Sequence, residues 1–171
     1  YDIEPVDINS KMKILIGMED LFAGEAFHQY KNFGAASDIL RVGVLLKYGG
    51  LYVDTDIEPT ETLPRWNPPT GVYINNVGPA FTNDAMYAVT KSHPFFLKYK
   101  EIIVNKYSKI DENMAKLRRY DKEVKNTSTQ VTTGPGALCD VVDEFYGQGD
   151  STGILFPKKP FKQDGSDSSW L

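Results

Sequence analysis

"AASDILRVGVLLKYGGLYVDTDI", residues 35–57, decides how this chain is read. In its first half, ASDILRVGVLLKY, apolar residues fill most of a helical circumference. That predicts a buried helix starting at Ser37 or an earlier residue. Gly49 and Gly50 end it. LYVDTDI (51–57) is β-branched and aromatic and reads as a strand. A helix, a Gly turn and a strand form half of an α/β layer. Alternate strand residues share a face. Tyr52, Asp54 and Asp56 are therefore expected on one face, with Leu51, Val53 and Thr55 on the other.

Two ionised carboxylates so close together repel one another and resist burial. A divalent cation removes the conflict. Hard oxygen ligands suit Mg²⁺ or Mn²⁺, which often keep positions open for phosphate oxygens. The alternative is that Asp54 and Asp56 are turn formers at a strand end, since D-x-D alone is common. Asp38 and Arg41, three residues apart, share a helix face. They form an internal ion pair, or they serve a ligand. In the second case a carboxylate accepts sugar hydroxyls beside a guanidinium that contacts hydroxyl or phosphate.

Working outward, "EDLFAGEAFHQY" (19–30) reads as a helix with a Gly turn, and "VYINN" (72–76) as a strand. Between them "ETLPRWNPPTG" (61–71) is a Pro-rich loop, in which Trp66 either packs or touches an acceptor. "TNDAMYAVTKSHP" (82–94) reads as holding a short helix. Ser92 is the expected cap of the next helix, with Pro94 in its first turn. Phe95, Phe96, Tyr99, Ile102, Ile103 and Tyr107 give that helix its core stripe. Residues 109–130 are strongly polar and stay open between a solvated helix, a loop and an acceptor-facing insertion. "TTGPGAL" (132–138) is a turn feeding a helix to Tyr146. "GILFP" (153–157) reads as a last strand. "KQDGSDSSWL" (162–171) reads as a mobile tail.

Composition narrows the class. The chain has 171 residues, enough for one domain with a core, and 41% of them are hydrophobic. A net charge of -4 argues against a nucleic-acid binder, which shows a basic stripe. No apolar run is long enough to span a bilayer, and no signal-peptide pattern follows Tyr1. A single cysteine, Cys139, excludes an internal disulfide and reads as a buried structural thiol. His28 and His93 are too few for a usual zinc site, and His93, just before Pro94, reads as a capping or surface residue.

The 35–57 segment resembles the signature of DxD glycosyltransferases with a GT-A fold. Among these it is most similar to bacterial toxins that glycosylate Rho-family GTPases, namely the large clostridial toxins and the tyrosine-modifying Photorhabdus PaTox type. The likeness continues in "AGEAFHQYKNFGAASDILR" upstream. It continues downstream in "NNVGPAFTNDAMYAVTKSHPFF", "TTGPGAL" and the terminal "SSW". The fold this implies is a GT-A core: an α/β domain with a Rossmann-like mixed sheet flanked by helices. Residues 1–171 would be the C-terminal part of one catalytic domain, with 162–171 as an active-site lid. The family's N-terminal nucleotide-binding part, which carries an aromatic that stacks on uracil, is expected to be missing from this chain.

The resemblance also implies roles. Asp54 would bind ribose and sugar, or the metal through water, and Asp56 would ligate Mn²⁺ or Mg²⁺ directly. Asp38 and Arg41 would hold the hydroxyls of the transferred sugar, and Tyr52 would face the diphosphate. Asn83 would lie near the sugar; its alternative is a helix cap. Ser168 and Trp170 would close over the β-phosphate and glycosidic oxygen, donating to the leaving group; for Trp170 the alternative is a chain end that binds nothing. The family retains anomeric configuration and needs no evident protein nucleophile, so no general base is assigned.

The implied reaction moves a sugar from a UDP-sugar to a Tyr or Thr hydroxyl of a host Rho-family GTPase. The enzyme would be a secreted bacterial toxin acting in the host cytosol. Small or modest side chains around Asn83 (Thr82, Asp84, Ala85) favour UDP-GlcNAc over UDP-glucose. Two other readings stay open: a related DxD transferase acting on a glycan or glycolipid, and a sugar-nucleotide- or GTPase-binding module without turnover.

Overall fold

A computed structural model describes residues 5, 7–29, 31–63, 65–77, 80–147, 152–157 and 160–163. After a 3₁₀ segment, Ile8–Leu15, come α1 (Glu19–Ala26) and α2 (Phe33–Tyr48). The strands β1 (Gly50–Val53), β2 (Ile57–Pro59), β3 (Val72–Val77) and β4 (Ala80–Ala88) follow. Then come α3 (Pro94–Ser108), α4 (Glu112–Tyr120), α5 (Lys122–Thr132), α6 (Pro135–Tyr146) and β5 (Phe161–Gln163).

The long helix α2 starts four residues before Ser37. Its cap is Asn32, whose side chain accepts from the Ala35 N–H at 3.2 Å. It ends where expected, at Gly49, with φ 66° and ψ -153°. A Cβ there would stand 2.9 Å from the Thr90 carbonyl carbon, so only glycine fits.

Strand order in the main sheet is β1-β4-β3, and both pairings are antiparallel. A separate ribbon pairs β2 with β5, and a single parallel bridge joins Ile74 to Leu155. One sheet face carries Val72, Ile74, Met86 and Ala88, which join the core built by Ile39, Val42 and Leu46 of α2, Phe95, Phe96 and Tyr99 of α3, and Leu138 and Val141 of α6. The other face carries Tyr73, Ala85 and Tyr87, covered by Trp66, Phe156 and Phe161. Trp66 therefore packs: its ring lies 5.5 Å from Tyr87 and 5.0 Å from Phe156. The result is an α/β fold with helices against a small sheet.

Four local expectations are corrected. Residues 80–88 form a strand, not a short helix. At the step from Ile74 to Asn75 the β4 partner jumps from Met86 to Thr82, so Asn83, Asp84 and Ala85 bulge out of the β3 ladder. Ala85 and Met86 are both buried because each faces one of the two covered sides of the sheet, which erases the alternation a strand needs to be readable. The strand read over 51–57 breaks at Asp54. The Asp54 N–H bonds the Asp84 carbonyl at 2.8 Å, and the Ile57 N–H closes a turn on the Asp54 carbonyl at 3.1 Å. Residues 152–154 form a 3₁₀ turn, so "GILFP" contributes only the Leu155 bridge. His93, not Ser92, caps α3: its Nδ1 accepts from the Phe95 N–H at 3.3 Å.

The polar stretch 109–130 resolves into α4 and α5, capped by Asp111 and Asp121. Cys139 is half-buried rather than buried. Of the tail expected over 162–171, Lys162 and Gln163 belong to β5, and residues 164–171 lie outside the described residues.

Candidate active site

A cleft of about 330 Å³ opens where α2, the β1–β2 turn, the β4 bulge and the α5–α6 junction meet. Asp38, Arg41, Asp54, Asp56 and Asn83 all line it, together with Phe33, Thr82 and Asp84.

Arg41 is the hub. It is 5% exposed and Asp38 6%. Its Nη2 lies 3.3 Å from Asp38 Oδ1 and 3.1 Å from Asp54 Oδ1, so one guanidinium bridges two carboxylates. Nη1 donates to the Asn83 carbonyl at 2.5 Å, and Nη2 also donates to Ser37 Oγ at 3.1 Å. The Tyr52 ring lies 4.9 Å from the guanidinium carbon. Burial works against the Arg41 charge, but Asp38, Tyr52 and Asp54 more than offset it, and its pKa is raised. The pairing seen between Asp38 and Arg41 is thus real, and it reaches beyond the helix to the DxD turn.

Asp38 is held on both oxygens. Asn83 Nδ2 donates to Oδ1 at 2.8 Å, and Thr133 Oγ1 donates to Oδ2 at 2.7 Å. Burial nonetheless raises its pKa, against Arg41 and these hydrogen bonds. Asn83 is not a helix cap: it sits in the β4 bulge, and that bulge aims it at Asp38. Tyr52 does not line the cleft. Its hydroxyl donates to Asp54 Oδ1 at 2.6 Å, and burial pushes its pKa up to about 12.

Asp54 also has a raised pKa. Burial is the main cause, opposed by Arg41 and the Tyr52 hydroxyl, with the negative charges of Asp56 and Asp84 adding to it. Asp84 thus joins Asp56 as a second carboxylate close to Asp54. The β1–β2 turn leaves Asp56 half-buried at the cleft. Among the described residues, no group of three or more His, Cys, Asp or Glu is placed to hold a metal ion. Asp56, with the Asp54 carboxylate that Arg41 and Tyr52 hold through Oδ1, suits a small hard cation shared with a diphosphate, which takes only one or two protein ligands.

Sequence reasoning missed Thr133 and Tyr99 as parts of the site, and named Asp84 only as a modest side chain beside Asn83. Thr133 lies 95 residues from the carboxylate it contacts, in a stretch legible only as a turn. Tyr99 read as core, which it also is. Asp84 Oδ1 accepts from Thr82 at 2.7 Å and Asn75 at 3.1 Å, a placement that depends on the bulge. Ser168 and Trp170 lie outside the described residues.

Part of the chain, and its fold, are similar to known proteins. Residues 4–73 match the family described as "Glycosyltransferase sugar-binding region containing DXD motif". The chain is 38% identical over 65 residues to Toxin A of Clostridium novyi, a span of 38% of this chain and 3% of that protein. Its fold is similar to that of the PaToxG glycosyltransferase, with a TM-score of 0.59 and 22% identity, over 90% of this chain and 49% of the other. The chain thus spans a small part of the toxin and about half of the solved relative. The similarity over residues 4–73 is to a glycosyltransferase sugar-binding region, and the likeness to PaToxG is one of fold.

Proposed function

We propose that this chain is the sugar-transferring core of a retaining, metal-dependent toxin glycosyltransferase. Its donor would be a UDP-sugar and its acceptor a Tyr or Thr hydroxyl of a host Rho-family GTPase, modified in the host cytosol. The observation that carries the reading is the convergence of Asp38, Arg41, Asn83, Asp54 and Asp56 on one cleft from a helix, a turn and a strand bulge. The acceptor class rests on the likeness of residues 23–57 to Rho-modifying toxins. A host protein as target is in keeping with the similarity to Toxin A.

The chemistry assigns work to each residue. Asp38 accepts from sugar hydroxyls, held in place by Asn83 and Thr133. Arg41 is kept charged by its two carboxylates and presents its positive field to the donor. Asp56, with Asp54 directly or through water, would hold Mn²⁺ or Mg²⁺, which neutralises charge building on the departing diphosphate. The bond from the anomeric carbon to UDP breaks, the acceptor oxygen bonds that carbon on the same face, and the acceptor proton leaves on the diphosphate. Thr82 and Asp84 bond to one another. That draws both side chains together beside Asn83 and favours room for an N-acetyl group, hence UDP-GlcNAc over UDP-glucose.

The test is UDP release from each donor, with Mn²⁺ or with EDTA, for the wild type and for Asp54→Asn combined with Asp56→Asn. Metal-dependent release lost in the double variant supports the reading. Absence of release with both donors overturns turnover and leaves a binding module. Faster release from UDP-glucose overturns the donor preference alone.

A further inference from the structure

We infer that Thr133 is a positioning residue of the sugar site, acting through Asp38; this rests on the transferase reading above. A carboxylate offers about four acceptor positions. On Asp38, Oδ1 takes Asn83 and Arg41, and Oδ2 takes the Thr133 hydroxyl, which leaves Oδ2 capacity for one ligand hydroxyl. Removing Thr133 would leave Oδ2 with no hydrogen-bond partner among the described residues and the carboxylate held through Oδ1 alone.

The Thr133 hydroxyl has one hydrogen and two neighbours, Asp38 Oδ2 at 2.7 Å and the Thr129 carbonyl at 3.1 Å. The ionised, nearer oxygen takes it. Thr133 is itself pinned from the core. The Tyr99 hydroxyl donates to the Thr133 carbonyl at 2.7 Å, with the Gly134 carbonyl at 3.2 Å, and both Tyr99 and Thr133 are 0% exposed. Asn83 closes the loop, its Nδ2 lying 3.3 Å from the same Tyr99 hydroxyl. The orientation of a cleft carboxylate on α2 is thereby traced to a rigid aromatic on α3. The passage is tight: a Cβ on Gly134 would come within 3.3 Å of Asp38 Oδ2. Positioning of this kind matters because a displacement of about 1 Å at a reacting group costs roughly 100-fold in rate.

The experiment compares Thr133→Val, which keeps shape and loses the donor, with Thr133→Ser, which keeps the donor. Each is made in the wild type and in Asp38→Asn, and UDP-sugar turnover is read with thermal unfolding alongside. The expected result for Thr133→Val is a fall in kcat of about 10- to 100-fold, with donor KM within roughly threefold. Thr133→Ser should stay within about threefold of the wild type, and Thr133→Val should add less than about twofold on top of Asp38→Asn. If Thr133→Val does not fold, Thr133→Ala takes its place in the same comparison. Full activity in Thr133→Val, failure of Thr133→Ser to restore turnover, or losses that multiply with Asp38→Asn would each overturn the inference and leave the transferase reading intact. A wild type that turns over neither UDP-GlcNAc nor UDP-glucose would overturn both, and is recognised before any variant is made.

Discussion

At the scale of the residue, the site depends on charges that burial disfavours and neighbours rescue. Arg41 satisfies Asp38, Asp54, the Asn83 carbonyl and Ser37 with one planar fork. Arg41→Met would leave two carboxylates without their cation, and unfolding in urea should show a loss of about 3–5 kcal/mol. Arg41→Lys should not restore activity, because an ammonium cannot reach the same acceptors as a fork. Asp38 predicts a pH dependence with a definite sign. Its folded pKa lies above the ordinary 3.8, so the folded state holds the proton more tightly than the unfolded chain. The contribution of Asp38 to stability therefore falls as pH rises from about 3.8 through the folded value. Urea midpoints across that range should show this slope, and Asp38→Asn should remove it.

Among the elements, caps and one bulge decide where the functional residues stand. The α3 cap is a neutral His93 Nδ1 accepting from Phe95. His93→Ala should cost about 1 kcal/mol and His93→Asn much less. Burial lowers the His93 pKa from 6.5, with a Thr70 backbone bond opposing it. Protonation therefore favours the unfolded chain, and the stability His93 supplies is lost as pH falls from about 6.5 through its lower folded value. Wild-type and His93→Asn unfolding midpoints should separate progressively below that pH if the imidazole titrates as described; equal slopes would contradict it. The β4 bulge does more for function than any regular strand. It turns Asn83 toward Asp38, carries the Asp84 carbonyl to the Asp54 N–H, and puts Asp84 into the cleft. α4, by contrast, buries none of its residues, and it is held by the Arg118–Glu25 pair at 2.8 Å.

Taking the molecule as a whole, the cleft gathers residues from α2, the β1–β2 turn, β4 and the α5–α6 junction, so a donor bound there ties separate parts of the chain together. UDP-GlcNAc with Mn²⁺ should raise the midpoint of thermal unfolding, by the equivalent of about 2.7 kcal/mol at a hundredfold excess over Kd. EDTA should reduce the shift, and Asp56→Asn should reduce it even in saturating Mn²⁺. An unchanged midpoint would contradict donor binding. Much of this molecule was legible in its residues taken in order. The apolar run closed by Gly49 specifies α2, the Phe-Phe-Tyr stripe specifies α3, and the Thr-Thr-Gly-Pro turn specifies the start of α6. Each is a local pattern whose hydrogen bonds close within a few residues. Asp38, Arg41, Asp54 and Asp56 were legible too, because charges in an apolar run need a reason wherever they are. Asn83 came from the resemblance, and only the fold aimed it at Asp38. The tertiary structure alone decided that β4 is a strand, that Asp54 and Asp56 stand in a turn, and that Thr133 and Tyr99 hold Asp38. A strand covered on both faces shows no alternation, and a hydrogen bond between residues 95 apart leaves no local trace. Those contacts exist only once α2, α3 and the sheet have packed, because burial is what makes a lone hydroxyl the partner a carboxylate must have.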